Sequence, residues 1–241
     1  MDRREEQENK RIMKVEDHIL VNGYKHVLYK REAISGEESL AKSSQFYNWL
    51  NTRRSVREYS NKPVSKELIE NIIKSASTAP SGAHKQPWTF CAISNTELKI
   101  KIRLAAEKEE RESYASRMRD RWLKDLEPLG TDTNKSFIED APWVIVVFKR
   151  IYEHDDTGKH NNYYVNESVG IACGMLISAI HNAGLVTLTH TPSPMNFLSK
   201  LLERPANERA FLLLPVGYAK QPVYVPDIKR KSLDEVAVFY E

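Results

Sequence analysis

Apolar positions recurring every three or four residues mark the first elements. From Ser65 onward Leu68, Ile69, Ile72, Ile73 and Ala76 keep helical spacing until Pro80 stops the run, which predicts an amphipathic helix with one face on a core. A helix is also predicted from Glu37 to about Asn51, with Leu40, Tyr47 and Leu50 near one face. Asn166–Ala183 is the most apolar helical stretch, closed by Gly184 at its C′ position, and a shorter helix falls around Met195–Leu202. Trp88–Ile93, Leu185–Thr189 and Phe211–Gly217 are rich in β-formers and read as strands, while the run WVIVVF at Trp143–Phe148 reads as a central strand buried on both faces. Between the first two strands, Glu97–Leu126 is a long charged helical stretch ended by Pro128 and Gly130. Its few apolar positions make it a poor core helix and a good lid, spanning about 97–135. Ile151–Asn162 reads as a polar loop.

Helices and strands alternate without repeat or low-complexity break, which argues for one α/β or α+β domain. Residues 1 to about 36 mix charges with isolated apolar positions and carry the turn-like pairs Asn22-Gly23 and Ser35-Gly36, so the expected division is an extension over 1–38, mobile or packed on a partner subunit, and a domain over 39–241. The chain of 241 residues is 41% hydrophobic and 29% charged, which suits a sizeable core and excludes a disordered or disulfide-stapled class. Its 36 Lys and Arg against 33 Asp and Glu form no basic stripe, which argues against a nucleic-acid partner. Met1–Arg11 lacks the apolar segment of a signal peptide, and Val169–Ile180 falls short of the roughly 20 residues a bilayer needs, so no membrane association and a cytoplasmic location are expected. Cys91 and Cys173 sit in apolar runs and read as two buried thiols.

No GxGxxG, Walker loop, HExxH, CxxC or GxSxG occurs, and no two histidines stand four apart, so no metal site is expected. What remains is a run of donors, Arg53, Arg54, Ser55 and Arg57, directly after a helix. Several guanidinium forks and a hydroxyl suit a phosphate, because charge-assisted bidentate hydrogen bonds offset the desolvation of a dianion. A second basic run, Lys229–Lys231, would reinforce that reading if the two met in space.

Several blocks, in order, carry a resemblance: Arg53-Arg54-Ser55-Val56-Arg57; Thr78-Ala79-Pro80-Ser81-Gly82-Ala83-His84 with Gln86-Pro87-Trp88; Ala141-Pro142 before a strand; Gly184-Leu185 before Thr189-His190-Thr191-Pro192; and Leu214-Pro215-Val216-Gly217-Tyr218. From about Ser39 to the C-terminus the chain resembles the nitroreductase-like flavoproteins, and within them the iodotyrosine deiodinases. The resemblance implies an α+β fold with a central mixed sheet flanked by helices, an intertwined homodimer with two sites at the subunit interface, and FMN as cofactor. It assigns Arg53, Arg54, Ser55 and Arg230 to the FMN phosphate and ribityl region and Arg57 to the pyrimidine edge. Pro80, Ser81 and Gly82 would approach the flavin from the partner chain, while Thr189, His190 and Thr191 line its other side with the Thr191 hydroxyl, the catalytic group, near N5. Glu110 and Tyr114 share a helix face at i, i+4 and Lys135 follows; together they offer an anion for an ammonium, a cation for a carboxylate and a hydroxyl, and the resemblance makes them the clamp on a substrate zwitterion. Ala83 would give its backbone N–H to the substrate phenolate. The implied activity is reductive removal of halide from 3-halotyrosines, with electrons from an external reductase or NAD(P)H. A broad nitroreductase or quinone reductase, and a flavin-binding sensor without turnover, are the other readings that fit the residues.

Overall fold

The computed structural model describes residues 12–15 and 18–241; the charged Met1–Arg11 stretch lies outside them. The chain forms two compact units, dividing between Trp49 and Leu50. In the first, β1 (Ile12–Val15), β2 (His18–Val21) and β3 (Tyr24–Val27) pair as an antiparallel meander. Asn22 and Gly23, at φ 51° and 86°, make the tight turn between β2 and β3, so the turn expected from sequence joins two strands the pattern did not announce. Helix α1 (Gly36–Asn51) follows, with no buried residue and with Leu40, Phe46 and Tyr47 exposed.

The second unit carries α2 (Lys66–Ser77), β4 (Trp88–Ile93), α3 (Thr96–Glu112), α4 (Asp120–Leu126), α5 (Phe137–Asp140), β5 (Trp143–Arg150), β6 (Tyr152–Asp155), β7 (Gly158–Asn161), α6 (Val165–Asn182), β8 (Val186–Thr187), α7 (Asn196–Leu201) and β9 (Glu208–Gly217). The main sheet has the order β4-β5-β9-β8, and its strands all pair antiparallel. Parallel pairing enters through an isolated bridge between Ser55 and Thr187, where the Val56 N–H donates to the Thr187 carbonyl at 3.2 Å. The WVIVVF strand is central, as its composition demands. Ile145 and Val147 face a core built with α2 and α6, whereas Val144, Val146 and Phe148 face a second core shared with α3, α5 and α7; all five are fully buried. Each such side chain contributes about 1.5–3 kcal/mol. Helix α2 begins on Ser65, whose hydroxyl accepts the Leu68 N–H at 3.2 Å, and α6 ends before Gly184 at φ 71°.

Three expectations are corrected. The stretch 97–126 is not one helix: α3 ends at Glu112, a π-helical turn occupies Ser113–Arg117, and Met118 is extended before α4 resumes. Nor is α3 only a cover. Ile102 and Ala106, four apart, are fully buried, and the buried Lys99 caps α5 by donating to the carbonyls of Glu139 (2.9 Å) and Ala141 (2.6 Å). The segment 151–162 is not an irregular loop but the hairpin β6–β7. Its tip is held by Asp155 Oδ1, which accepts from the Thr157 N–H (2.8 Å) and hydroxyl (2.6 Å), with Gly158 at φ 117°. Both cysteines are free thiols; Cys173 is buried, which pushes it up to about 12, and Cys91 is half-buried. Among the described residues no helix is long and apolar enough to cross a membrane.

Candidate active site

Past α1 the chain runs across the edge of the sheet, pinned by the Ser55–Thr187 bridge, and the C-terminal segment returns to it. Arg230 donates to the Asn51 carbonyl (3.2 Å), the Asn51 side chain (3.0 Å) and the Arg53 carbonyl (2.9 Å), while Arg54 donates to the Pro226 carbonyl. The two basic runs therefore meet. They enclose a cleft of about 260 Å³ lined by Arg53, Arg54, Ser55, Arg57, Lys229 and Arg230. Among the described residues no carboxylate stands within ion-pair distance of these four arginines. Burial, then the charges of Arg230 and Arg54, lower the pKa of Arg53 from its ordinary value. Cations gathered against their own repulsion, without a protein anion, make a basket suited to an anionic ligand. An adjoining cleft of about 400 Å³ shares Ser55 and Arg57 and is walled by Glu127–Gly130 of the charged segment.

Glu110, Tyr114 and Lys135 come together. Lys135 Nζ lies 3.3 Å from Glu110 Oε2, with the two side chains 3% and 10% exposed. Lys135 also donates to Thr131 Oγ1 (3.3 Å) and the Asp132 carbonyl, and stands 6.0 Å from the Tyr114 ring centre. The Tyr114 hydroxyl donates to the Thr131 carbonyl at 3.2 Å; burial, then the Glu110 charge, raises its pKa. Sequence reasoning passed over Glu107, whose carboxylate accepts the Lys135 backbone N–H at 3.0 Å. It stands three residues before Glu110 in a run of acids, and nothing in that run sets it apart.

The Pro80–Gln86 loop is strained. Ala83, His84 and Gln86 all have left-handed φ, at 49°, 54° and 47°, each costing about 1–2 kcal/mol, and such strain collects at functional sites. Gly82 is approached so closely that a Cβ would stand 2.9 Å from the Tyr164 ring and 3.1 Å from the Tyr163 carbonyl. The N–H groups of Gly82, His84, Lys85 and Gln86 donate to Ser168, Ser81, Gly82 and Ser81 respectively; the Ala83 N–H donates to no described residue. Pro80, Ser81, Gly82 and Ala83 line neither arginine cleft of their own chain.

The triplet 189–191 separates. Thr189 and Thr191 are exposed, whereas His190 is buried, its backbone paired in both directions with Leu213 (2.9 and 3.0 Å) and its ring edge-on to Phe137 at 5.6 Å. Alternation along an extended run turns the imidazole inward, so it does not share a surface with its neighbours as expected. Burial, then the charges of Lys135 and Arg57, bring its pKa down to about 3, and its Nε2 has no partner. Arg57 lines the basket, and its charge is also felt at His190 and Tyr114.

Helices on both faces of this sheet, with a cation basket at its edge, define a known class. The family model of the Nitroreductase family matches residues 50–218, and the chain belongs to that family. Within it the similarity is to iodotyrosine deiodinases. The chain is 59% identical to the enzyme of Haliscomenobacter hydrossis over 85% of this chain and 92% of that one, and 45% identical to iodotyrosine deiodinase 1 of Homo sapiens over 88% and 74%. Among solved structures, oxidized iodotyrosine deiodinase bound to FMN and 3-iodo-L-tyrosine is 30% identical with a TM-score of 0.72, over 81% of this chain and 98% of that one. A nitroreductase-like protein of Streptococcus mutans, 18% identical, shares the fold at a TM-score of 0.63 over 83% and 100%.

Proposed function

We propose that this protein is an FMN-dependent enzyme that reductively removes iodide, and other halides, from 3-halotyrosines, working as a homodimer in the cytoplasm with an external reductase or NAD(P)H as electron source. The observation that carries the reading is the buried Glu110–Lys135 pair with Tyr114 beside it. A carboxylate and an ammonium held out of water offer partners of opposite sign to the ammonium and carboxylate of a free amino acid, and the relatives at 59% and 45% identity bear the deiodinase name.

The residues present fit FMN. Arg53, Arg54, Ser55 and Arg230 supply charged and hydroxyl donors for its phosphate, and Arg57 remains for the ring. When bound, FMN supplies the two electrons that, with one proton, turn a halotyrosine into tyrosine and halide. Glu110 takes the substrate ammonium, Lys135 its carboxylate, and Tyr114 fixes the geometry between them. The unclaimed Ala83 N–H accepts the task of an oxyanion donor at the phenolate. Thr191 offers its exposed hydroxyl to the flavin. Because Pro80, Ser81 and Gly82 stand away from the basket of their own chain, the homodimer would bring them to it from across an interface.

The test is a visible spectrum of the purified, FMN-loaded protein before and after 3-iodotyrosine, followed by iodide release under dithionite. Perturbed flavin bands and stoichiometric iodide are expected; nitroaromatic reduction without iodide would replace the reading with a broad nitroreductase.

A further inference from the structure

The π-helical turn Ser113–Arg117 is fastened to a segment some eighty residues away. The Ser193 carbonyl accepts two hydrogen bonds from it, one from the Ser113 hydroxyl at 3.2 Å and one from the Arg117 guanidinium at 2.9 Å. Arg117 is held in turn by Glu109 at 2.8 Å and by Glu112. Glu110 and Tyr114 lie inside the stretch these contacts span, and Ser193 is two residues beyond Thr191. The turn closes with the Met118 N–H on the Ser113 carbonyl at 2.8 Å, the i to i−5 bond that defines it. Such a turn is rare and recurs at functional sites. Here its cost is offset by ordering: Ser113 is buried, and one guanidinium satisfies three acceptors with charge-assisted bonds.

We infer that Arg117, aided by Ser113, is a positioning residue that couples the clamp to the catalytic hydroxyl. Resting on the functional reading above, the logic is mechanical. A zwitterion must separate Glu110 from Lys135 to bind them, and this shifts the end of α3. The bonds to Ser193 O carry that displacement into the segment holding Thr191. Arg117 lines neither arginine cleft, so it acts through Ser193 and not by touching cofactor. A tie of this kind biases one two-state element from both sites, the physical requirement for coupling.

The test compares parent, Arg117→Ala, Arg117→Lys and Glu110→Gln, all loaded with FMN. Arg117→Ala should hold FMN and bind 3-iodotyrosine within about threefold of the parent, yet lose tenfold or more in kcat for deiodination, with the lysine variant between. Independently of turnover, 3-iodotyrosine should slow hydrogen exchange of residues 189–196 in the parent and leave it unchanged in Arg117→Ala. A raised KM with unchanged kcat, or equal ligand protection of 189–196 in both proteins, would overturn the coupling. If Glu110→Gln binds 3-iodotyrosine as tightly as the parent, the clamp itself is wrong and the coupling falls with it.

Discussion

Lys135 and Glu110 neutralise one another 3.3 Å apart in a place that water scarcely reaches. The pair satisfies in advance the two groups that a zwitterion would need, so substrate exchanges one set of ion pairs for another and no charge is left bare. Removing one member of a buried pair costs about 3–5 kcal/mol, because its partner stays desolvated and alone. Lys135→Met should therefore lower stability in urea by an amount of that order, and adding Glu110→Gln should restore most of it. Both proteins should bind 3-iodotyrosine poorly while reducing nitroaromatics that lack an amino acid group at parental rates. Equal losses on both substrates would make the pair structural.

Arg53→Ala and Arg230→Ala should leave a folded protein with less cofactor. Each strips a charge-assisted contact of about 1.5–3 kcal/mol, or roughly tenfold to a hundredfold in FMN affinity. Flavin absorbance after gel filtration reads this directly. Full retention by both variants would move the phosphate elsewhere.

Thr191→Ala should keep FMN and bind 3-iodotyrosine, lose deiodination, and retain or gain nitroaromatic reduction, because that reduction can proceed by hydride transfer without the hydroxyl. Parallel loss of both activities would give Thr191 a structural role ahead of Pro192.

His190 sets an acid limit. Its folded-state pKa of about 3 lies below the ordinary 6.5, so at intermediate pH the unfolded chain binds the proton that the folded chain refuses. Stability from this residue is complete above about pH 6.5 and falls as pH drops toward 3, by up to about 1.4 kcal/mol per pH unit. His190→Gln should flatten the curve of melting temperature against pH between 6.5 and 4. An unchanged slope would show that the imidazole is protonated in the folded protein.

The core was legible where burial imposed a period. WVIVVF, α2 and α6 lie where their apolar patterns put them, because the strand is buried on both faces of the sheet and the two helices lay their apolar stripes on one of those faces. The break inside 97–126 left no mark: no Gly or Pro stands between Glu97 and Leu126, and the group that the π-turn is bonded to, the Ser193 carbonyl, is distant in sequence. The hairpin at 152–161 was hidden because β7 is wholly exposed and so shows no alternation, its register coming from Asp155 and Thr157. The basket was readable as composition, three arginines and a serine beside a helix end plus Lys229–Lys231, but the left-handed run at Ala83, His84 and Gln86 was not. Those residue types do not announce positive φ, and neither does the close approach of Tyr163 and Tyr164, some eighty residues on, to Gly82 beside them.

The bridge between Ser55 and Thr187 gives the arginine segment a second duty. Strand β8 is only two residues long and ends the sheet on that side, and the backbone of Ser55 and Val56 covers it. An uncovered edge is a template for pairing with another chain. Whatever lifts residues 53–57 off β8 therefore removes the anion-binding arginines and bares a sticky margin in the same movement. Loss of ligand and self-association would then arrive together, and an anion seated in the basket would protect this chain against aggregation.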